Sequence, residues 1–191
     1  DICVEKALNR SGINIERGFN DKRQWEAAKF DSNENSDVDI YLYKLHGSID
    51  WTRDSDGVLT LCDTPQPSPE LIFGTAAKLS SIDPYLFYVH ELRKYSLNEA
   101  LRYIVVVGYS FSDDYINTLI SQAVARSEYL KILVVAPTNN ETEEVSRISS
   151  CLRVAEDKVN YENMTAKEFF ENSMKLLYFS KKSSASDDDP F

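Results

Sequence analysis

The segment from Tyr103 to Val124 constrains the fold of this chain more than any other, because it joins an apolar strand pattern to an amphipathic helix through a glycine. Tyr103 to Val107 is rich in β-branched residues, as in strands that are buried on both faces of a parallel sheet. Gly108 ends this run, and Ser112 is the expected N-cap of a helix with two aspartates in its first turn. In α/β folds such a unit can hold a nucleotide at the carboxyl edge of the sheet. An ordinary βα unit explains the pattern equally well, so this segment alone does not decide between the two.

Strand and helix patterns alternate along the rest of the chain. Further strands are expected at Asp39 to Leu45, Lys131 to Ala136 and within Val154 to Tyr161. Helices are expected near the start of the chain, from Asp83-Pro84 to about Tyr95, from the capping-box pair Ser96 and Glu99, over Glu141 to Leu152, and after the capping-box pair Thr165 and Glu168. A hairpin is suggested around a proline-rich loop by two short apolar pieces, Val58 to Leu61 and Leu71 to Phe73. The alternation predicts an α/β fold with a parallel sheet.

Composition limits the class of protein. The 191 residues suit one domain, with the folded part expected over residues 1–179 and a disordered acidic tail over residues 180–191. A net charge of −10 repels a phosphate backbone, which argues against direct binding to nucleic acid. No apolar run approaches the roughly 20 residues of a membrane helix. Three well-separated cysteines form neither a disulfide set nor a metal-ligand spacing, which favours a reducing cytoplasm.

His46 is the first candidate for chemistry. It follows the expected strand at Asp39 to Leu45 and precedes a glycine, and the carboxyl ends of strands are where α/β folds build their sites. An imidazole in such a place can act as a general base near neutral pH. A structural histidine at the end of a strand is the alternative. The other histidine, His90, lies within an expected helix and is interpreted as structural or solvent-facing.

Several enzyme classes are excluded by what the chain lacks. The segment Gly108 to Ser112 resembles a nucleophile elbow, but its last glycine is missing and both histidines precede Ser110, against the order that an α/β-hydrolase requires. Paired cysteines or a His-x-x-x-His motif, as in a zinc enzyme, are absent. No G-x-G-x-x-G motif and no Walker loop are present either.

Three motifs in a fixed order resemble the sirtuin-like NAD-binding family. They are KLHGSIDW at 44–51, IVVVGYSFSDDYIN at 104–117 and ILVVAPTNNE at 132–141. The similarity extends over about Asp1 to Arg147 and is greatest to the bacterial branch found in antiphage defence effectors, many of which are NAD hydrolases. It implies a Rossmann-like parallel sheet with flanking helices, and NAD as the substrate.

The resemblance also implies roles for particular residues. The histidine before the glycine is catalytic in that family, which corresponds to His46. The residues expected to contact NAD are Asp1, Gly47, Ser48, Gly108, Tyr109, Ser110, Asp113, Asn117, Pro137 and Thr138. The last two of these positions follow the third motif's strand, where the family usually borders the adenosine.

This chain departs from the family pattern in two ways. Protein-deacylating members have a four-cysteine zinc module after the histidine motif, whereas only Cys62 lies in that interval, so no zinc is expected. The family also begins with a glycine-rich loop and a T-T-N-Y-D segment with a catalytic asparagine. The opening DICVEKAL resembles the residues after that asparagine and tyrosine, with Asp1 as the last residue of the motif. The expectation is therefore an incomplete Rossmann-like domain without its N-terminal nucleotide-loop half, inactive on its own.

The resemblance leaves more than one function open. The first expectation is an NAD hydrolase that releases nicotinamide and ADP-ribose, acting as an antiphage effector in the cytoplasm and controlled by homo-oligomerisation or by an activating partner protein. The main alternative is a non-catalytic module that senses NAD or ADP-ribose. A protein deacylase is a third reading, and it needs an acyl-lysine channel that no motif indicates.

Overall fold

Residues 2–10, 12–31, 37–71 and 83–172 are described by a computed structural model, apart from the side chains of residues 171 and 172. Asp1 and the predicted acidic tail at residues 180–191 lie outside this range. The chain divides into two compact units, Asp1–Leu92 and Arg93–Phe191, and each is described separately below. None of the described helices is long and apolar enough to cross a membrane.

The first unit contains short elements around an aromatic core. Its elements are α1 (Cys3–Arg10), β1 (Ile15–Glu16), a 3-10 helix (Ala27–Phe30), β2 (Ile40–Tyr41), β3 (Trp51–Arg53), β4 (Leu59–Leu61) and the start of α2 (Tyr85–Ser96). Strands β1 and β2 pair in parallel, and β3 and β4 form an antiparallel hairpin. The core consists of Phe30, Trp51, Leu59, Tyr85 and Tyr88. Tyr88 is fully buried, and the ring of Phe30 stacks on Tyr43 with 4.7 Å between centroids.

One prediction for this unit was wrong in its extent, and a second falls partly outside the described residues. The strand expected at Asp39 to Leu45 is reduced to β2, because its partner β1 is only two residues long and the last ladder bond runs from Leu42 N to Glu16 O. The described hairpin joins β3 and β4; Leu71 makes a bridge to Gly47, and the rest of the second predicted piece, residues 72 and 73, lies outside the described residues. The hairpin closes where Asp54 Oδ1 accepts hydrogen bonds from the amides of Asp56 and Val58, an aspartate turn that the prediction overlooked.

The second unit is a parallel sheet with helices, as predicted. It contains β5 (Tyr103–Val107), α3 (Asp114–Arg126), β6 (Lys131–Val135), α4 (Glu141–Leu152), a 3-10 helix (Glu156–Lys158), β7 (Val159–Glu162) and α5 (Ala166–Asn172). The strand order is β5-β6-β7 and all pairs are parallel. Residues 132–135 of the central strand are buried, whereas β5 is a sheet edge among the described residues and Val105 is 39% exposed. The predicted α/β fold with a Rossmann-like sheet is thus confirmed.

The helix boundaries show which local signals were correct. Helix α4 begins and ends at the predicted residues, and the capping box before α5 forms, with Glu168 N donating to Thr165 Oγ1 at 3.2 Å. The helix expected after Ser96 is absent. Ser96 instead ends α2, where its hydroxyl donates to Arg93 O at 2.9 Å, and the following residues turn around Asn98.

Candidate functional site

The carboxyl ends of β5, β6 and β7 meet at one edge of the sheet because the three strands are parallel. Each strand is followed there by a loop, at residues 108–113, 136–140 and 163–165. The first two loops contain most of the residues that were predicted to contact a nucleotide. This edge is therefore the candidate binding edge of the second unit.

The loop after β5 has an unusual backbone. Gly108 has a φ of +68°, and a Cβ placed on it would meet no atom within 4 Å, so its outer side is open. Phe111 has a φ of +60°, a conformation that bulky residues rarely adopt, and its side chain is buried. Between them Ser110 is exposed, and its hydroxyl contacts that of Ser112. The loop thus presents a glycine backbone and two hydroxyl groups on its outer side.

Tyr109 and Asn117 hold this loop from the inner side. Asn117 is buried, and its Nδ2 donates to Phe111 O at 2.8 Å, which satisfies a carbonyl in the strained turn. The hydroxyl of Tyr109 lies 3.0 Å from Asn117 Oδ1 and 3.1 Å from Asp113 O. Burial raises the pKa of Tyr109, and the nearby carboxylates of Asp113 and Asp114 add to the rise, so the phenol stays protonated and can donate. Tyr109 and Asn117 therefore stabilise the loop through these hydrogen bonds.

Asp113, and not Ser112, is the N-cap of α3. Its Oδ1 accepts hydrogen bonds from Tyr115 N at 3.1 Å and from Ile116 N at 3.2 Å. The prediction placed the cap one residue too early, because serine and aspartate are equally good caps and the left-handed turn at Phe111 shifts the register.

The loop after β6 is fixed by a residue that the sequence analysis missed. Asn163 forms two hydrogen bonds with Thr138, one from Thr138 N to Asn163 Oδ1 and one from Asn163 Nδ2 to Thr138 O, each 2.9 Å long. Asn140 then caps α4, with Oδ1 accepting from Glu143 N at 3.3 Å. Pro137 is exposed beside this anchored segment. A lone asparagine after a strand gives no sequence signal for such a cross-loop pair.

In the first unit, His46 lies on a tight turn and not directly at a strand end. The turn spans residues 44–47 and closes with a hydrogen bond of 3.0 Å from Gly47 N to Lys44 O. His46 is exposed. Gly47 has a φ of +76°, and a Cβ on it would collide with Glu70 O, so this glycine is required by packing. His90, the other histidine, is exposed on α2 as predicted.

Ser48 is fully buried beneath the His46 turn. Its amide donates to Glu70 O at 3.2 Å, and its hydroxyl receives a hydrogen bond of 2.7 Å from Lys44 Nζ and contacts Asp50 Oδ1. The direct nucleotide contact expected of Ser48 stays a prediction. Glu5, Arg17, Lys44 and Asp50, which surround it, were not singled out from the sequence.

The predicted site residues are thus divided between the two units. The histidine motif lies in the first unit, and the residues from 108 to 138 lie in the second; Asp1 is outside the described residues. Within the described ranges, no group of three or more histidine, cysteine, aspartate or glutamate side chains is placed to bind a metal ion. The expectation of a zinc-free protein stays a prediction.

Comparison with known proteins identifies the family. A model of the SIR2-like domain matches residues 1–156, which include the His46 turn and the loops after β5 and β6 at the candidate edge. None of the curated proteins matches the chain. SIR2-like domains bind NAD, so the match indicates an NAD-related function. Since the matched segment is well over half of the sequence, the chain belongs to the SIR2-like domain family.

Proposed function

We propose that this protein hydrolyses NAD at the bond between nicotinamide and ribose. The observation that supports the proposal best is the exposed imidazole of His46. It lies on a turn that is closed by the hydrogen bond from Gly47 N to Lys44 O and is followed by the buried Ser48, whose hydroxyl accepts from Lys44 Nζ. A general base needs an accessible ring, and the exposed His46 provides one on a turn whose backbone is held by hydrogen bonds.

The leaving group needs no strong acid from the protein. As the N-glycosidic bond breaks, its electron pair passes to the pyridinium nitrogen, and nicotinamide departs as a neutral molecule. The ribose develops oxocarbenium character, as in glycoside hydrolysis, and water adds to the anomeric carbon. The proton lost by that water, or by a ribose hydroxyl that assists it, is taken by His46.

The loop at Gly108 is proposed to bind the sugar or the phosphates. Its open backbone allows close approach, and the hydroxyls of Ser110 and Ser112 can donate to anionic oxygens. The exposed Pro137, beside the Thr138 and Asn163 pair, is proposed to border the adenosine. Among the residues expected to contact NAD, Tyr109, Asp113 and Asn117 would act mainly by shaping this loop.

A sensor that binds NAD or ADP-ribose without cleaving it is the second candidate. The exposed side chains of the loops after β5 and β6 include the hydroxyls of Ser110 and Ser112 and the amides of Asn139 and Asn140, which can bind a nucleotide. A deacylase has no support of this kind. We propose the hydrolase because the exposed His46 can serve as the base that hydrolysis requires, whereas a sensor requires none.

The proposed cellular role is antiphage defence in the cytoplasm, with activity controlled by homo-oligomerisation or by a partner protein. Its support is the motif resemblance to bacterial effectors and the absence of disulfides at the three cysteines, at positions 3, 62 and 151. Depletion of NAD would be the effect of the activated protein.

The test is nicotinamide release from NAD by the full-length protein. His46→Ala should lower turnover by about 10² to 10⁴, the usual cost of losing a general base. His90→Ala is the matched control, since it removes another exposed histidine and should leave turnover unchanged. Turnover of His46→Ala within threefold of wild type would remove His46 from the mechanism. Tight NAD binding with no nicotinamide release from the activated wild type would favour the sensor.

A further inference from the structure

A buried polar network lies directly beneath the His46 turn. We define it by five residues of the first unit: Glu5, Arg17, Lys44, Ser48 and Asp50. Three of them are almost inaccessible to solvent, with 5% of Glu5, 0% of Ser48 and 5% of Asp50 exposed. Ionised groups in such positions need close partners, since an unpaired buried charge is very costly.

The network is a closed ring of charges and one hydroxyl. Arg17 Nη2 lies 2.9 Å from Asp50 Oδ2 and 3.4 Å from Glu5 Oε1. Lys44 Nζ contacts the same oxygen of Glu5 and donates to Ser48 Oγ at 2.7 Å, and Ser48 in turn contacts Asp50 Oδ1. Two cations and two carboxylates therefore balance.

The carboxylate of Asp50 stays ionised within this ring. Burial alone would raise its pKa, but the hydrogen bond from Ser48 and the guanidinium of Arg17 together hold the pKa below its ordinary value. The Asp50 carboxylate therefore keeps accepting from Ser48 and Arg17 in the neutral range.

Two residues of the network, Lys44 and Ser48, flank His46 in the sequence. Lys44 is the first residue of the turn, Ser48 directly follows it, and the Lys44 to Ser48 hydrogen bond spans the turn on its buried side. The histidine lies between them on the exposed side. Any movement of the histidine's backbone must therefore disturb the ring.

Stability alone is a poor explanation for this arrangement. Replacing a buried ion pair by well-packed apolar residues is often neutral or stabilising. A buried network of this kind therefore points to a local geometry that it holds fixed.

We propose that the buried polar network positions His46 for proton transfer, with Ser48 as the positioning residue that joins the turn to the ring. This inference rests on the proposed function. Ser48 would act only through His46, without touching NAD.

The experiment is a mutant cycle in the full-length protein, with nicotinamide release as the readout. Ser48→Ala removes one hydroxyl and leaves every charge in place. We expect kcat to fall at least tenfold with KM unchanged within twofold, because NAD binding does not involve the hydroxyl. In a His46→Ala background the same change should have no further effect on kcat, since two residues that act as a unit are not additive. Asp63→Asn, which breaks the exposed ion pair of Arg23, is the control and should leave kcat unchanged.

Lys44→Met is the second variant, in case Ser48→Ala folds poorly by circular dichroism. It removes the donor of the Lys44 to Ser48 hydrogen bond and should reproduce the fall in kcat. Full kcat in a folded Ser48→Ala or Lys44→Met variant would overturn the inference while leaving the role of His46 intact. An equal loss from Ser48→Ala with and without His46 would also overturn it. Unchanged turnover of His46→Ala would remove His46 from the mechanism, whereas no nicotinamide release from the wild type would overturn the proposed function itself.

Discussion

At the scale of single residues, two glycines with similar backbone angles have different reasons for being glycine. Gly47 has a φ of +76° and Gly108 a φ of +68°, so both sit where a side chain is strained. A Cβ on Gly47 would collide with a backbone oxygen, whereas a Cβ on Gly108 would meet nothing within the described part of the chain. The first glycine is explained by packing, and the second leaves an open face for a ligand.

This contrast gives a prediction for Gly108→Ala. We expect NAD binding to weaken at least tenfold, about 1.4 kcal/mol, because the added methyl group would occupy the space that the nucleotide approaches. Gly57→Ala is the matched control, since Gly57 has a φ of +81° and also has open space around it. Both variants carry the same backbone strain of about 1–2 kcal/mol. Isothermal titration calorimetry should separate them, and equal affinities for NAD would mean that the nucleotide lies elsewhere.

The sequence could identify these residues but not the reason for each. The motif assigned Gly47, Ser48, Tyr109 and Asn117 to the nucleotide as one set. Ser48 and Asn117 are buried, with side chains that hydrogen-bond to other parts of the protein, and their contact with the nucleotide stays a prediction. The network beneath His46 was invisible in the sequence because Glu5 and Arg17 are far from it along the chain.

At the scale of elements, the start of α3 determines the shape of the candidate binding loop. Asp113 caps the helix, and its position in turn depends on the left-handed turn at Phe111. The acidic first turn also complements the helix dipole. A change at the cap should therefore affect both the stability of the helix and the loop before it.

We predict that Asp113→Ala lowers the free energy of unfolding by about 0.5–2 kcal/mol, the usual cost of losing an N-cap. Ser112→Ala should cost less than about 0.5 kcal/mol, as for an ordinary surface substitution. Urea unfolding followed by far-ultraviolet circular dichroism measures both. A larger loss of stability for Ser112→Ala than for Asp113→Ala would show that Ser112 is the N-cap, as the sequence predicted.

Elements with strong local patterns were predictable, and elements that depend on distant partners were not. Strands β5 and β6 and helix α4 follow from apolar runs, caps and acidic first turns that lie within the segments themselves. The extent of β2 depends on the two-residue length of β1, more than twenty residues earlier. The hairpin of β3 and β4 depends on the turn-forming hydrogen bonds that Asp54 accepts, which an apolar pattern alone does not reveal.

At the scale of the whole molecule, charge acts in two opposed ways as pH falls. The net charge of −10 is neutralised toward the pI of about 4.7, which relieves general repulsion. Specific carboxylates then oppose this gain, because the pKa of Asp50 is held below its ordinary value despite burial, by Ser48 and Arg17. A depressed carboxyl pKa contributes stability above the unfolded value, and this contribution is lost as pH falls through the folded value. Stability should therefore be maintained to about pH 5 and fall below about pH 4.

We predict that Asp50→Asn removes much of this loss of stability at low pH. The variant should be less stable than wild type at pH 7, because Arg17 loses a charged partner, and the difference should shrink as pH falls below about 4, because protonation of Asp50 removes the charge that the variant lacks. Both tryptophans, Trp25 and Trp51, lie in the first unit, so urea unfolding followed by tryptophan fluorescence reports on the unit that contains the network. Asp63→Asn is the control, since Asp63 is 84% exposed and its loss should matter little at any pH. If the difference between wild type and Asp50→Asn were the same at pH 7 and pH 3, the ionised Asp50 would not be what stabilises the ring beneath His46.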